Sequence, residues 1–178
     1  MSSFRYSIWL APCAEQREIL QRTIDLLSSR FGTPSFEPHA TLCSGVWNNT
    51  EADLADVVDK VGRDLRARRE LSLSVSSDGI DWIERWFGFF FLRLRCESDC
   101  FERAGRMVKG SHSPEIGPHV SLLYSFGDKM IDRKTLRAEL AETLPDVIRF
   151  DSLALVRPST GGWEDIADWE TLYRTGKS

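Results

Sequence analysis

Residues 36–45 read FEPHATLCSG, and residues 116–125 read IGPHVSLLYS. Each stretch runs through Pro, His, one apolar residue, a hydroxyl residue and Leu. Two of the chain's three histidines, His39 and His119, sit in these near-copies, eighty residues apart. In an extended strand, side chains at i and i+2 share a face. His39 and Thr41 are therefore expected to project together, as are His119 and Ser121, with Leu42 and Leu122 turned to the core. One such cassette is ordinary strand sequence. Two of them, each after a proline and each heading a strand, bring two imidazoles and two hydroxyls together if the halves of the chain face each other.

The surroundings repeat as well. Residues 4–10 alternate and predict a strand that Ala11–Pro12 ends. Ile19, Leu20, Ile24, Leu26 and Leu27 give residues 15–30 helical spacing, stopped by Gly32–Pro34. Residues 40–47 predict the first His-strand, with Thr41 and Cys43 on one face. Leu54, Val57, Val58, Val61 and Leu65 stripe a helix over 51–67. Strands follow at 71–77 and 87–94. The second round predicts a helix over 99–109, a loop over 111–118, a strand over 119–125, a helix over 132–143 capped by Asp132 or a neighbour, and strands at 147–156 and 166–173. Helices mixed with strands in this order predict an α+β fold, with helices on one face of antiparallel sheets and a cleft between two similar lobes. The 178 residues suit one compact unit, residues 1–178.

Composition bounds the function. Apolar residues make up 42% and charged residues 28%, ordinary for a soluble globular protein. The formal charge of -4 argues against a large basic surface for long nucleic acid, while leaving room for a small anionic ligand in a locally positive pocket. No apolar run approaches the ~20 residues of a membrane span; the longest, Trp86–Leu92, reads as a buried strand. The N-terminus carries no extended apolar signal region, so a cytoplasmic location is expected; a monomer is expected as well. Free thiols are expected at Cys13, Cys43, Cys96 and Cys100, with Cys96 and Cys100 spaced so that they could pair. No cofactor and no metal are expected, because there is no CxxC pair and no tight His/Cys cluster.

Two histidines and two hydroxyls suit attack on a phosphodiester. A neutral imidazole can take a proton from water while a protonated one delivers a proton to the leaving oxygen. The hydroxyls can donate to the non-bridging oxygens, where charge grows in the transition state. Residue types alone do not divide the two roles. Tyr124 at the end of the second His-strand, Trp163 after the Ser159–Gly162 loop and Trp47 at the end of the first His-strand are further candidates to contact a ligand. His112, in the SHSPEIG loop, is expected to be exposed rather than catalytic. The basic run Arg63, Arg66, Arg68 and Arg69 reads as a solvated helix end.

The paired His-x-Thr/Ser cassettes, the opening YSIWLAP and the Arg-Pro segment leading to Trp163 and a last aliphatic-aromatic strand resemble the two-histidine (2H) phosphoesterase superfamily. Among its branches the chain looks most like the small cyclic nucleotide phosphodiesterases of plants and yeast. The resemblance implies a bilobal fold of two pseudo-symmetric lobes around a central cleft, and metal-independent opening of cyclic phosphates. The implied substrates are nucleoside 2′,3′-cyclic phosphates, opened to 2′-phosphates, and ADP-ribose 1″,2″-cyclic phosphate. It implies His119 as the base that activates water, His39 as the acid, and Thr41 and Ser121 as phosphate ligands. The related branches acting on RNA ends, as 2′-5′ phosphodiesterases or 2′,3′-cyclic phosphate processors, carry similar cassettes, and a non-catalytic nucleotide-binding module would keep the same cleft. Ser121 stands where the commoner residue is Thr, and the plant members' disulfides find no match among these cysteines.

Overall fold

The structure is a computed structural model of the chain, and it describes residues 4–47, 49–83, 89–124, 132–159, 162–163 and 165–175. Strand β1 (Phe4–Pro12) leads to α1 (Ala14–Phe31), β2 (Ala40–Trp47), α2 (Glu51–Ala67) and β3 (Ser72–Ile83). The order then recurs in β4 (Phe89–Arg95), α3 (Cys100–Met107), β6 (His119–Tyr124), α4 (Arg133–Ala141) and β7 (Val147–Pro158), with the two-residue β5 (Ser111–His112) before β6. A 3-10 turn, Ile166–Asp168, precedes β8 (Trp169–Arg174).

The helices form where spacing and caps predict them. In α1, Leu20, Ile24 and Leu27 are fully buried, whereas Leu26, counted with that stripe, is 58% exposed because its neighbour Leu27 takes the core side of the turn. A reciprocal capping box starts α2: the Thr50 hydroxyl accepts from Asp53 N–H and the Asp53 carboxylate accepts from Thr50 N–H. Asp132 caps α4 by accepting from Thr135 N–H. Strand β3 runs on past residue 77 to Ile83, through an irregularity between Val75 and Ile80 that realigns it on β4. The loop expected over 111–118 contains β5, which pairs with β2. Of the apolar run Trp86–Leu92, residues 86–88 lie outside the described residues, as do Thr160 and Gly161 of the Ser159–Gly162 loop.

The strands form one antiparallel sheet with the order β1-β2-β6-β4-β3-β7-β8, and β7 also pairs with β1. The hydrogen-bonded path therefore closes on itself. An approximate two-fold relation exchanges β1 with β4, β2 with β6 and β3 with β7, and it passes through the β2–β6 contact, where Ala40 pairs with Val120. The two His-strands thus lie side by side at the centre. The helices interlock the halves: α1 packs against β6, and α3 packs against β2, so each His-strand is backed by a helix from the other half. One continuous core of buried residues, including Ile8, Leu20, Leu42, Leu92, Leu122 and Leu153, runs behind the sheet.

Candidate active site

Along β1 and β2 the cleft-facing residues pair across the ladder: Trp9 with Thr41, Ser7 with Ser44, and Arg5 with Val46. Ile8 pairs with Cys43, so Leu42 is an extra residue with no partner of its own on β1. This bulge reverses the alternation along β2. Leu42 and Cys43 both turn inward and are fully buried, and Ser44 returns to the cleft. Two expectations are corrected by it. Cys43 does not share a face with Thr41. Trp47 does not line the cleft; it is 2% exposed in the core, stacked on Tyr6 at 5.8 Å between ring centres.

The second cassette does the same. Phe91 pairs with Ser121 and Phe90 with Leu123, so Leu122 is the extra residue. Leu122 and Leu123 are both buried, and Tyr124 swings to the cleft face that plain alternation would have denied it. The equivalent bulges follow the hydroxyl residue in both cassettes.

The result is a cavity of about 950 Å³ lined by His39, Thr41, His119, Tyr124, Trp163 and Trp169 around its inner part. Ser121 shares the wall of His119 but lies beneath the cavity surface at 2% exposure, where its Oγ accepts a hydrogen bond of 2.6 Å from the Tyr124 hydroxyl. Burial pushes that phenol up to about 12, so it stays protonated and donating, and the Ser121 proton is left to point elsewhere.

Both imidazoles are held alike. His39 Nδ1 lies 2.7 Å from the Glu37 carbonyl, and His119 Nδ1 lies 2.8 Å from the Gly117 carbonyl. A carbonyl only accepts, so both Nδ1 atoms carry hydrogen, and in each neutral ring Nε2 is the nitrogen that bears the lone pair. Arg174 on β8 grips both carboxylate oxygens of Glu37 at 2.8 Å, fixing the segment whose carbonyl orients His39. Gly117 has φ +78°, a left-handed turn that presents its carbonyl to His119.

The rings differ in their surroundings. His39 is 4% exposed and lies flat on the Trp9 indole, 3.6 Å between centres and 9° from parallel, with Trp169 edge-on at 5.8 Å. Burial pushes its pKa down to about 3, against the Glu37 hydrogen bond, and the nearby His119 adds to the depression. His119 is half-buried, edge-on to Phe91 at 5.2 Å, and its pKa is lowered by burial, with the Arg93 charge adding to the effect.

Of the aromatic candidates, Tyr124 and Trp163 line the cavity. Trp9 and Trp169 also line it and were not singled out from sequence. Trp9 carried a signal: it shares strand parity with Arg5 and Ser7, a tryptophan on an otherwise polar face. Trp169 carried none, since only packing against Trp9, Phe36 and Tyr124 brings it to the site. His112 is exposed, as expected, and lines the outer part of the cavity. All four cysteines are free, with the Cys96 and Cys100 sulfurs 3.1 Å apart. Arg66 departs from the expected solvated face by donating to the Asp151 carbonyl and the Thr175 hydroxyl. Among the described residues, no group of three or more His, Cys, Asp or Glu could hold a metal ion, and no helix is long and apolar enough to cross a membrane.

Comparisons with known proteins agree with this geometry. Residues 4–108 match the family described as "Cyclic phosphodiesterase-like protein", a span that holds the first cassette. No curated protein matches the chain. Three solved structures share the fold at low identity. E. coli LigT complexed with phosphate is 13% identical, covers 98% of each chain and has a TM-score of 0.52. E. coli LigT complexed with 3′-AMP is 14% identical, with the same coverage and a TM-score of 0.53. A structure described as a phosphoesterase is 13% identical, again over 98% of both chains, with a TM-score of 0.55. With the family match covering more than half of its length, and the duplicated histidine strands at the centre of its sheet, the chain belongs to the cyclic phosphodiesterase-like family of the two-histidine phosphoesterases, hydrolases that act on cyclic phosphates.

Proposed function

We propose that this protein opens a 2′,3′-cyclic phosphate carried on a nucleotide, using His39 and His119 as the acid–base pair and no metal. The observation that carries the reading is the matched tethering of the two imidazoles: each Nδ1 donates to the carbonyl two residues upstream. Each ring therefore exchanges its working proton at Nε2, on the walls of one cavity.

In the division of roles that the resemblance implies, His119 takes a proton from water as the oxygen attacks phosphorus, and His39 returns one to the departing ribose oxygen. Burial keeps His39 neutral in the free site. Its proton is then taken up only as the anionic phosphate enters and its charge offsets the loss of water. Thr41 and Ser121 donate to the non-bridging oxygens, Ser121 with its lone pair occupied by Tyr124.

Of the possible carriers, a nucleotide at the end of a short RNA suits the cleft better than a free mononucleotide. The cavity of about 950 Å³ is near the top of the usual range for ligand pockets. E. coli LigT, which shares the fold, has been seen with phosphate and with 3′-AMP. The family match favours the second reading, free cyclic nucleotides or ADP-ribose 1″,2″-cyclic phosphate. The setting that goes with either is a cytoplasmic monomer, whose oligomeric state size-exclusion chromatography tests and whose location cell fractionation tests.

The deciding experiment is hydrolysis of adenosine 2′,3′-cyclic phosphate and of a short RNA with a 2′,3′-cyclic end, in EDTA, with the product resolved as 2′- or 3′-phosphate. Turnover unaffected by EDTA is expected, with His39→Ala and His119→Ala each losing about 10²–10⁴-fold. Full activity in either variant removes that histidine from the mechanism. Thr41→Val and Ser121→Ala are expected to cost about 2–4 kcal/mol in the barrier. Loss of all turnover in EDTA would replace this chemistry with a metal-dependent one, and absence of turnover on every cyclic phosphate, with binding retained, would make the chain a binding module.

A further inference from the structure

The cleft continues beyond the histidines, and its outer arm is built differently from its inner part. Three rungs of cleft-facing residues cross β1 and β2: Trp9 with Thr41, then Ser7 with Ser44, then Arg5 with Val46. At roughly 3.3 Å per residue, the four residues from Trp9 to Arg5 carry the wall about 13 Å away from the catalytic end. The first rung is aromatic. The second is polar: the Ser7 and Ser44 hydroxyls lie 3.0 Å apart, and His112 on β5 pairs beside Ser44. At the third, Arg5 is exposed and is the one permanent cation among the described residues lining the cavity. No salt bridge engages Arg5 among the described residues. Gly45 and Gly110 line the same arm.

From this arrangement the geometry points to a second anion subsite at Arg5, floored by Ser7 and Ser44, which takes a phosphate on the 5′ side of the nucleotide whose cyclic phosphate lies between the histidines. The inference rests on the proposed function and adds the substrate class to it: a nucleotide carrying two phosphates. A mononucleotide with only the cyclic phosphate fills the inner part and leaves Arg5 without a partner. A nucleotide bearing a 5′-phosphate ester extends along the hydroxyl rung to the guanidinium, which recognises phosphate with its planar donor fork. Glu115, the one carboxylate among the described lining residues, faces the same cavity and opposes this attraction, so the subsite has charge for one added phosphate. The formal charge of -4 fits the same limit: the positive potential is local.

The test measures binding by calorimetry, without turnover, using adenosine 3′-phosphate and adenosine 3′,5′-bisphosphate. The wild-type protein is expected to favour the bisphosphate by about fivefold at low salt, the size of one partly exposed ion pair. That preference should fall towards one in Arg5→Ala, persist in Arg5→Lys, rise in Glu115→Gln and fade with added salt. Adenosine 3′-phosphate serves as the internal reference, because it offers Arg5 nothing. Equal affinity for the two ligands in the wild type overturns the subsite, and so does a preference that Arg5→Ala leaves intact or a loss that falls equally on both ligands. Turnover of 5′-phosphoadenosine 2′,3′-cyclic phosphate against adenylyl-adenosine 2′,3′-cyclic phosphate then separates a free 5′-phosphate from an internucleotide one: a gain confined to the latter assigns the subsite to an RNA chain, and a gain for both assigns it to the phosphate alone. If no cyclic phosphate is opened but the bisphosphate preference holds, the reaction proposed above fails while the subsite stands.

Discussion

At the scale of single residues, the site is a problem of holding two rings still. Trp9 lies flat against His39 at 3.6 Å, close enough for the indole face to support a positive imidazolium as well as fix the ring plane. Trp9→Leu is therefore expected to lower kcat about 5–30-fold, from roughly 1–2 kcal/mol, with KM little changed, while Trp9→Phe recovers part of the rate. Steady-state kinetics of the three proteins checks this, and a change confined to KM would make Trp9 a simple ligand contact. On the other histidine, Gly117→Ala meets no steric obstacle, since nothing lies within 4 Å of the added Cβ. Its cost is conformational: φ +78° is left-handed, and a side chain there costs about 1–2 kcal/mol or turns the carbonyl away from His119. Reduced kcat with a modest fall in Tm is the expected outcome, and an unchanged pH–rate profile would show that the carbonyl tether does not set the state of His119.

The elements explain why particular residues reach the cleft. The bulges at Leu42 and Leu122 shift strand parity by one residue, which sends Tyr124 and Ser44 to the cavity and Trp47 to the core. Behind the first bulge, a Cβ on Gly45 would lie 2.4 Å from Trp47 Nε1 and 2.6 Å from the Gly110 carbonyl. Neither the buried indole nor the backbone can yield cheaply, so Gly45→Ala is expected to cost about 1–3 kcal/mol by overpacking. Urea unfolding measures it, and a neutral result would mean that β5 can move off β2. Farther from the site, Thr50→Ala removes half of the capping box of α2 and should cost about 1 kcal/mol without touching kcat. The His-x-Thr/Ser pairs were legible in the sequence because i and i+2 positions share a face in any strand. The bulges were not, because an unpaired residue is defined by its partner strand rather than by its neighbours in the chain.

The whole molecule binds the two repeats into one unit. The strand path closes through β7 and β1, and α1 and α3 each back the His-strand of the other half. One core cluster spans both halves, so far-UV and near-UV circular dichroism are expected to report one coincident unfolding transition. Two separated transitions would divide the chain into independent lobes. Acid should weaken this unit early. The His39 pKa is about 3 when folded and near 6.5 when unfolded, so between these values the unfolded chain binds the extra proton. Stability then rises with pH through this window and is lost as pH falls below about 6.5, at a slope approaching about 1.4 kcal/mol per pH unit for this one group. His119 acts in the same direction. Urea midpoints between pH 4.5 and 7 test this, and His39→Gln should flatten the slope, since it removes the titrating group.

The sequence by itself determined the repeat, the class of fold and the sharing of one strand face by His39 and Thr41 and by His119 and Ser121, because each depends on a local rule: helical spacing, capping, or the two-residue period of a strand. Tertiary structure alone decided that the repeats exchange helices, that Ser121 lies under Tyr124, and that Trp9 and Trp169 enclose His39. It also decided that burial lowers the readiness of both histidines to take a proton. These outcomes depend on which strand pairs with which and on how much water the packing removes, and the chain fixes neither until its distant segments meet.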